Sequence, residues 1–251
     1  MSRFEDEWRA RFERFARAHT DEASISGWSE TGLQRRVELF RHLVPPASPG
    51  PPPVALEVGC GAGTYVRLLA GLGYRAIGLD YSLPSLGRAL DADPGRKGHY
   101  LAGDAYALPG ASRGVDLVVS IGVLQALSRP EQVLSELARV LRPGGTLLIE
   151  TLSSRSLAAR AHRLHTRLRR LPPRVLAYDP EVVAHWLGAH GFAILERVPI
   201  CLPPRRFPAL GHVLRSAPTD WALRSSTLVA GALAHAVWFR CRRVGVEGSA
   251  R

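Results

Sequence analysis

The chain has 251 residues, 46% of them hydrophobic, room for one large domain or a domain with a cap. Net charge is +11, and the whole excess lies in residues 151–251, with 16 basic against 5 acidic side chains, while residues 1–50 and 51–150 balance at 8 and 8 and at 9 and 9. Cys60, Cys201 and Cys241 are odd in number and far apart, which excludes a CxxC or zinc spacing and points to a reduced, cytoplasmic setting; residues 1–20 have no apolar signal segment, and the longest apolar run, 228–239, is too short to span a membrane and contains His235.

In chain order, residues 3–18 and 31–43 read as two helices with a turn near Ser26-Gly27, forming a 1–44 helical cap. The proline-rich stretch 45–53 (PPASPGPPP) is a stiff, extended linker. Residues 54–58 have the length and β-branched content of a buried strand, and Gly59, Gly61 and Gly63 follow as a turn without Cβ atoms in a ligand's way. Tyr65, Val66, Leu68 and Leu69 then recur at helical spacing up to Gly71. Residues 76–79 are the next strand, and Asp80 ends it, 21 positions after Gly59. Strand, glycine turn, helix, strand and acid form the nucleotide-binding half of a doubly wound α/β sheet, with the acid on ribose hydroxyls.

The glycines are spaced GxGxG, and Thr64 stands where a dinucleotide fingerprint wants its third glycine. Glu57, two residues before the turn, would crowd a pyrophosphate but suits a cofactor carrying an amino group and a sulfonium. Residues 100–105 read as a third strand ending at Asp104, an acceptor for an adenine amino group, with the Ala105 amide at the ring. Residues 115–120 are a fourth strand, 130–141 a helix stopped by Arg142-Pro143-Gly144-Gly145, and 146–152 a fifth strand.

The motifs LEVGCGAGTY (56–65), GLD (78–80), GDA (103–105), VDLVVSIGVLQAL (115–127) and LRPGGTLLIE (141–150) resemble the class I S-adenosylmethionine (SAM)-dependent methyltransferases, near the small-molecule group that includes quinone-pathway enzymes. The resemblance implies a Rossmann-like, doubly wound, seven-stranded sheet with an antiparallel last strand, N-terminal helices and a helical cap. It implies SAM as cofactor, S-adenosylhomocysteine (SAH) as product, and a small-molecule acceptor: acidic, aromatic, quinone-like or lipid-associated. Gly59, Gly61 and Gly63, with Cys60 between them, would line the methionine and ribose, and Glu57 would sit near the methionine amine. Asp80, with Tyr81 beside it, would hold the ribose, and Asp104 and Ala105 the adenine. Ser120 and Ile121 would face the reactive methyl, and Gln125 joins this cofactor set. Many relatives carry a histidine where Gln125 stands; a glutamine orients a substrate but does not titrate, so no catalytic base is assigned.

Downstream of the 54–152 core, residues 153–178 contain a basic amphipathic helix. Leu157, Ala161, Leu164, Leu168 and Leu171 form one stripe, and seven arginines between 155 and 174 cover the remainder. It reads as a solvated cap face, as a surface for an acidic substrate or anionic membrane, or, against its scarcity of aromatics, as a nucleic-acid patch. Asp179 caps a helix from Pro180 to His190, and 192–200 and 232–243 are strands of the 179–251 remainder. The segment 201–227 is a substrate-side insertion in which His212, Asp220 and Trp221, like His19 near the N-terminus, are candidates to face the acceptor. Trp28, Tyr65 and Arg35 are candidates for the cavity mouth. An RNA methyltransferase and a SAM-binding protein without turnover are the alternatives. No metal site is expected.

Overall fold

Apolar runs rich in β-branched residues become one seven-stranded sheet in the computed structural model, which describes residues 3–170, 175–201 and 231–245. β1 (Val54–Val58), β2 (Arg75–Asp80), β3 (His99–Ala102), β4 (Val115–Ser120) and β5 (Leu141–Leu152) run parallel. β6 (Phe192–Ile200) lies at the edge, and β7 (Ala236–Arg243) fits between β5 and β6, antiparallel to both. The order β3-β2-β1-β4-β5-β7-β6 reverses between β1 and β4, the switch point at which open α/β sheets bind ligands. The expected fold class, antiparallel last strand included, is the observed one.

The period of two along each strand assigns side chains to faces. Leu56, Val58, Val118 and Ile149 meet α6 (Pro130–Val140) and α8 (Pro180–Ala189), whose Leu134, Leu137, Val183 and Leu187 are completely buried. Ala55, Leu148 and Trp238 face α3 (Glu30–Leu43) and α4 (Thr64–Gly71), where Phe40 and Leu69 are completely buried. Each such side chain contributes about 1.5–3 kcal/mol through removal from water. Alternation also sends Glu57 and Glu150 to the α3–α4 face, so two carboxylates enter that layer.

The N-terminal region holds α1 (Arg3–Ala18) and α2 (Glu22–Ile25), the latter a short helix not expected from the sequence, before α3. Asp21 caps α2 by accepting from the Ser24 amide at 2.8 Å. Glu22 pairs with Arg67 and accepts from the Thr64 hydroxyl at 2.5 Å, which puts a carboxylate at the N-terminus of α4 where the helix dipole favours one. α5 (Leu83–Asp91) was also unforeseen; Ser82 caps it, and Pro84 in its first turn is pre-set for a helix.

Two strand starts need correction. β5 begins at Leu141, because Leu141 already pairs with Val115 and the Pro143–Gly145 kink is carried inside the strand as a register irregularity. β7 starts at Ala236, four residues after the expected start of its strand. The leucine stripe of α7 (Leu157–Leu168) is not seated: the helix buries none of its residues, and Leu157, Leu164 and Leu168 are 58%, 60% and 75% exposed. Ser156 caps α7, and Arg163 donates to the Ser154 carbonyl at 2.7 Å, so only its first two turns are tied down. Residues 171–174 and most of the 201–227 insertion, with His212, Asp220 and Trp221, lie outside the described residues. Among the described residues no helix is long and apolar enough to cross a membrane, and no group of three His, Cys, Asp or Glu side chains could hold a metal ion.

Candidate active site

The turn after β1 is drawn against the end of β2 by two main-chain hydrogen bonds, from Gly59 and Cys60 N–H to the Leu79 carbonyl at 2.7 and 3.0 Å. Gly59 has φ +76°, and a Cβ there would stand 2.4 Å from Val123 Cγ2, so only hydrogen fits. Gly61 has φ +50°, and a Cβ there would meet nothing nearer than Ser26 Oγ at 3.9 Å. The first glycine thus closes the turn onto the β4 loop, and the second leaves open space in front of the backbone.

Asp80 ends β2 beside that space. One carboxylate oxygen accepts from Gly61 N–H at 2.8 Å, and the other from Ser82 N–H at 2.8 Å. The side chain therefore shapes the glycine turn while each oxygen keeps a second lone pair for a ligand. Burial pushes its pKa up, opposed by these amide hydrogen bonds. Glu57 is buried behind the turn with Oε2 unpartnered. Desolvation holds its pKa well above the usual carboxylate range; repulsion from Asp80 adds to this, and hydrogen bonding from the Val66 main chain opposes it.

Gly59, Gly61, Asp80 and Tyr81 form one wall of a cavity of about 950 Å³, open mouth included, and Asp104, Ala105 and Ile121 form another. Its roof is aromatic: Trp8 and Phe12 from α1, with Trp28. α1 is fastened there by Glu5, which accepts from the Tyr106 hydroxyl and from Ser128 Oγ at 2.7 Å and Ser128 N–H at 3.1 Å. Arg9, also on α1, lies 5.0 Å from the centre of the Tyr81 ring.

A second cavity adjoins the first and shares Trp8, Phe12, Ser26 and Trp28 with it. The Trp28 ring lies over Gly122, where a Cβ would be 2.6 Å from Cζ2, at the junction of the two. Beyond it stand Gln125, Arg36 and His235. Arg36 is 2% exposed and donates through Nε at 2.9 Å and Nη2 at 2.8 Å to Oε1 of the completely buried Glu150, with a third bond from Nη1 to the Gly32 carbonyl at 3.2 Å. Its guanidinium lies 4.4 Å from the Trp28 ring centre. Burial, assisted by Arg36, lowers the pKa of His235. Gln125 is buried with Oε1 unpartnered.

Of the residues singled out in the sequence, Gly59, Gly61, Asp80, Tyr81, Asp104, Ala105 and Ile121 line the first cavity. Glu57, Cys60, Gly63 and Ser120 lie outside its lining, and Gln125 belongs to the second cavity. Trp28 borders both. Tyr65, expected at the mouth, is buried against Phe40 with ring centres 5.0 Å apart, because its side of α4 faces the sheet. Arg35 is paired with Glu38 on the surface of α3, and His19 packs edge-on to Phe15; neither lines these two cavities. Arg36, Glu150, His235 and the α1 aromatics were missed as site residues. The α1 pattern was visible as Phe4, Trp8, Phe12 and Phe15 at helical spacing, whereas nothing local links Arg36 to Glu150, 114 residues away.

Residues 56–149 match the family model of a methyltransferase domain. The chain is 37% identical over 147 residues to a malonyl-[acyl-carrier protein] O-methyltransferase of Pseudescherichia vulneris, covering 56% of each chain. It is 29% identical over 158 residues to a ubiquinone biosynthesis O-methyltransferase of Sinorhizobium medicae, covering 59% of this chain and 63% of that one. The matches thus span about half the length of these curated relatives. In fold it is similar to magnesium protoporphyrin IX methyltransferase from Synechocystis PCC 6803, solved with bound SAH, at a TM-score of 0.57 and 15% identity over 88% of this chain and 85% of that one. Residues 56–149 are thus similar in sequence to a methyltransferase domain, and the sheet order and glycine turn agree with that likeness.

Proposed function

We propose that the chain transfers a methyl group from SAM to a small-molecule acceptor. The observation that carries the reading is the convergence of Asp80, the Gly59–Gly61 turn and the Asp104–Ala105 pair on one cavity at the sheet's switch point, beneath an aromatic roof. Asp80 offers lone pairs to ribose hydroxyls, and Asp104 and Ala105 offer an acceptor and an amide to adenine. Tyr81 packs beside the ribose, and Cys60 and Gly63 keep the turn narrow around the methionine. Glu57, buried and short of a partner, would release its proton and pair with an ammonium arriving beside the turn. Ser120 ends β4, and Ile121 after it lines the first cavity, where the reactive methyl would lie. When bound, SAM supplies an electrophilic methyl on a sulfonium, and positioning and desolvation provide most of the acceleration. Acceptor turnover is tested by mass-spectrometric detection of SAH released with panels of phenols, carboxylates and amines; binding of SAM without release of SAH across all three panels would replace enzyme with cofactor-binding protein.

The reading extends to α7. Its exposed leucines, with Arg160, Arg163 and Arg167 around them and no acid in the helix, form the apolar and cationic faces of a helix that lies on an anionic membrane surface. Ala158, in its first turn, lines the second cavity, so such a surface would sit next to the acceptor entrance and suit a lipid-associated acceptor.

A further inference from the structure

The geometry points to His235 as the proton acceptor for a planar, hydroxylated acceptor, a phenol or enol, seated in the second cavity with its hydroxyl oriented by Gln125. The inference rests on the SAM reading for the first cavity and assigns the substrate class of the second.

The placement of His235 follows from topology. β7 is antiparallel to β5, so its first residue lies at the same edge of the sheet as the C-terminal ends of β1, β4 and β5. His235 immediately precedes β7 and is pinned from both sides: its N–H donates to the Ile200 carbonyl at 2.8 Å, and its own carbonyl accepts from Ser153 N–H at 2.9 Å. The ring is thus carried on rigid backbone into a cavity that Gln125 enters from the β4 loop. Gln125 is 6% exposed, and its side-chain amide, whose Oε1 has no donor, can turn its NH2 toward a ligand oxygen, which leaves the hydroxyl proton for His235.

The other walls select shape. Trp8, Phe12, Phe15 and Trp28 present ring faces and edges, which favour a flat partner. The charged groups facing His235 are Arg36 from α3 and Glu150 from β5, and Arg11 from α1 lines the same cavity over the Trp8 and Phe15 rings. Arg36 is committed to Glu150, so it is a poor clamp for a substrate carboxylate. Burial, assisted by the Arg36 charge and opposed by Glu150, keeps the imidazole neutral, so a ring nitrogen has its lone pair free for a proton. The step is a proton transfer: the acceptor O–H bond breaks, an N–H bond forms on an imidazole ring nitrogen, and the electron pair stays on oxygen, which is then the nucleophile toward the methyl group. Solvent later removes the proton from the imidazolium. His235 thereby fills the role that the non-titrating Gln125 cannot.

The test uses 4-nitrophenol, whose anion is coloured, added to the full chain with SAH at a pH below the probe's own titration. The wild type is expected to hold part of the bound probe as the coloured anion. His235→Gln is expected to bind SAH as the wild type does and to shift the bound probe toward the neutral form by about one pKa unit, a roughly tenfold fall in the anion-to-neutral ratio. Gln125→Leu weakens probe binding. If His235→Gln does not fold, NMR titration of the wild-type ring decides: probe addition must protonate His235. A wild-type probe that stays neutral or does not bind, an anion band unchanged in His235→Gln, or an imidazole unaffected by the probe overturns the inference. Failure of SAH binding by calorimetry, with the probe spectrum as expected, overturns the SAM reading alone.

Discussion

The Arg36–Glu150 ion pair is deeply buried, and breaking it is costly. Both side chains are essentially without solvent, and two guanidinium nitrogens converge on one carboxylate oxygen at 2.9 and 2.8 Å. Arg36→Met leaves Glu150 as a buried charge with no cation, and the expected loss is about 3–5 kcal/mol. For a chain of this size a loss of 3–5 kcal/mol lowers the thermal midpoint by roughly 6–20 °C. The double variant Arg36→Met/Glu150→Leu removes both charges and the orphaned Glu150 Oε2, and should recover to within about 1 kcal/mol of wild type, since buried pairs owe much of their apparent strength to the cost of breaking them. The assay is thermal and urea unfolding of the wild type, both single variants and the double variant. A single-variant shift below about 2 °C, or a double variant no more stable than Arg36→Met, would refute the reasoning.

Gly59→Ala combines a left-handed backbone with a 2.4 Å approach to Val123 Cγ2, so it should lose about 1–3 kcal/mol from strain alone; adding Val123→Ala relieves only the clash, which unfolding midpoints can resolve. Glu57 carries a pKa raised above its unfolded value, so the native state keeps a proton that the unfolded chain releases, and stability falls as pH rises from about 4.3 through the folded pKa. Glu57→Gln removes that fall, so unfolding midpoints of the cofactor-free variant and wild type should diverge with rising pH in the variant's favour; parallel curves would contradict the buried carboxylate's role. For α7, flotation with phosphatidylglycerol vesicles should recover the wild type and lose Leu164→Glu/Leu168→Glu, with little binding to phosphatidylcholine; equal recovery of both proteins would dismiss the membrane surface.

The central sheet was legible because each of its signals is local: apolar runs of strand length, a glycine turn, and Asp80 ending the next strand. α5 escaped although Ser82 and Pro84 are a fair helix-start signal, because Gly87 and few apolar residues blur the period. The α7 stripe shows another limit: periodicity identifies an amphipathic helix without saying whether anything covers it, and the leucines are exposed. The cofactor side of the site was readable from motifs, whereas the second cavity was not. Arg36, Glu150 and His235 come from three distant segments, and alternation along β5 together with the antiparallel insertion of β7 brings them together. Tyr65 shows the limit of motif adjacency: it follows the glycine turn in sequence yet points into the core.

Isothermal titration of the wild type and Asp80→Ala with SAH tests the central claim most directly. Asp80 holds the Gly61 amide and faces the cavity, so the account predicts one site per chain in the wild type and loss of at least about 1.5–3 kcal/mol of binding free energy in the variant, as expected for hydrogen bonds to a charged group. Absence of wild-type binding, or an affinity untouched by Asp80→Ala, would contradict it.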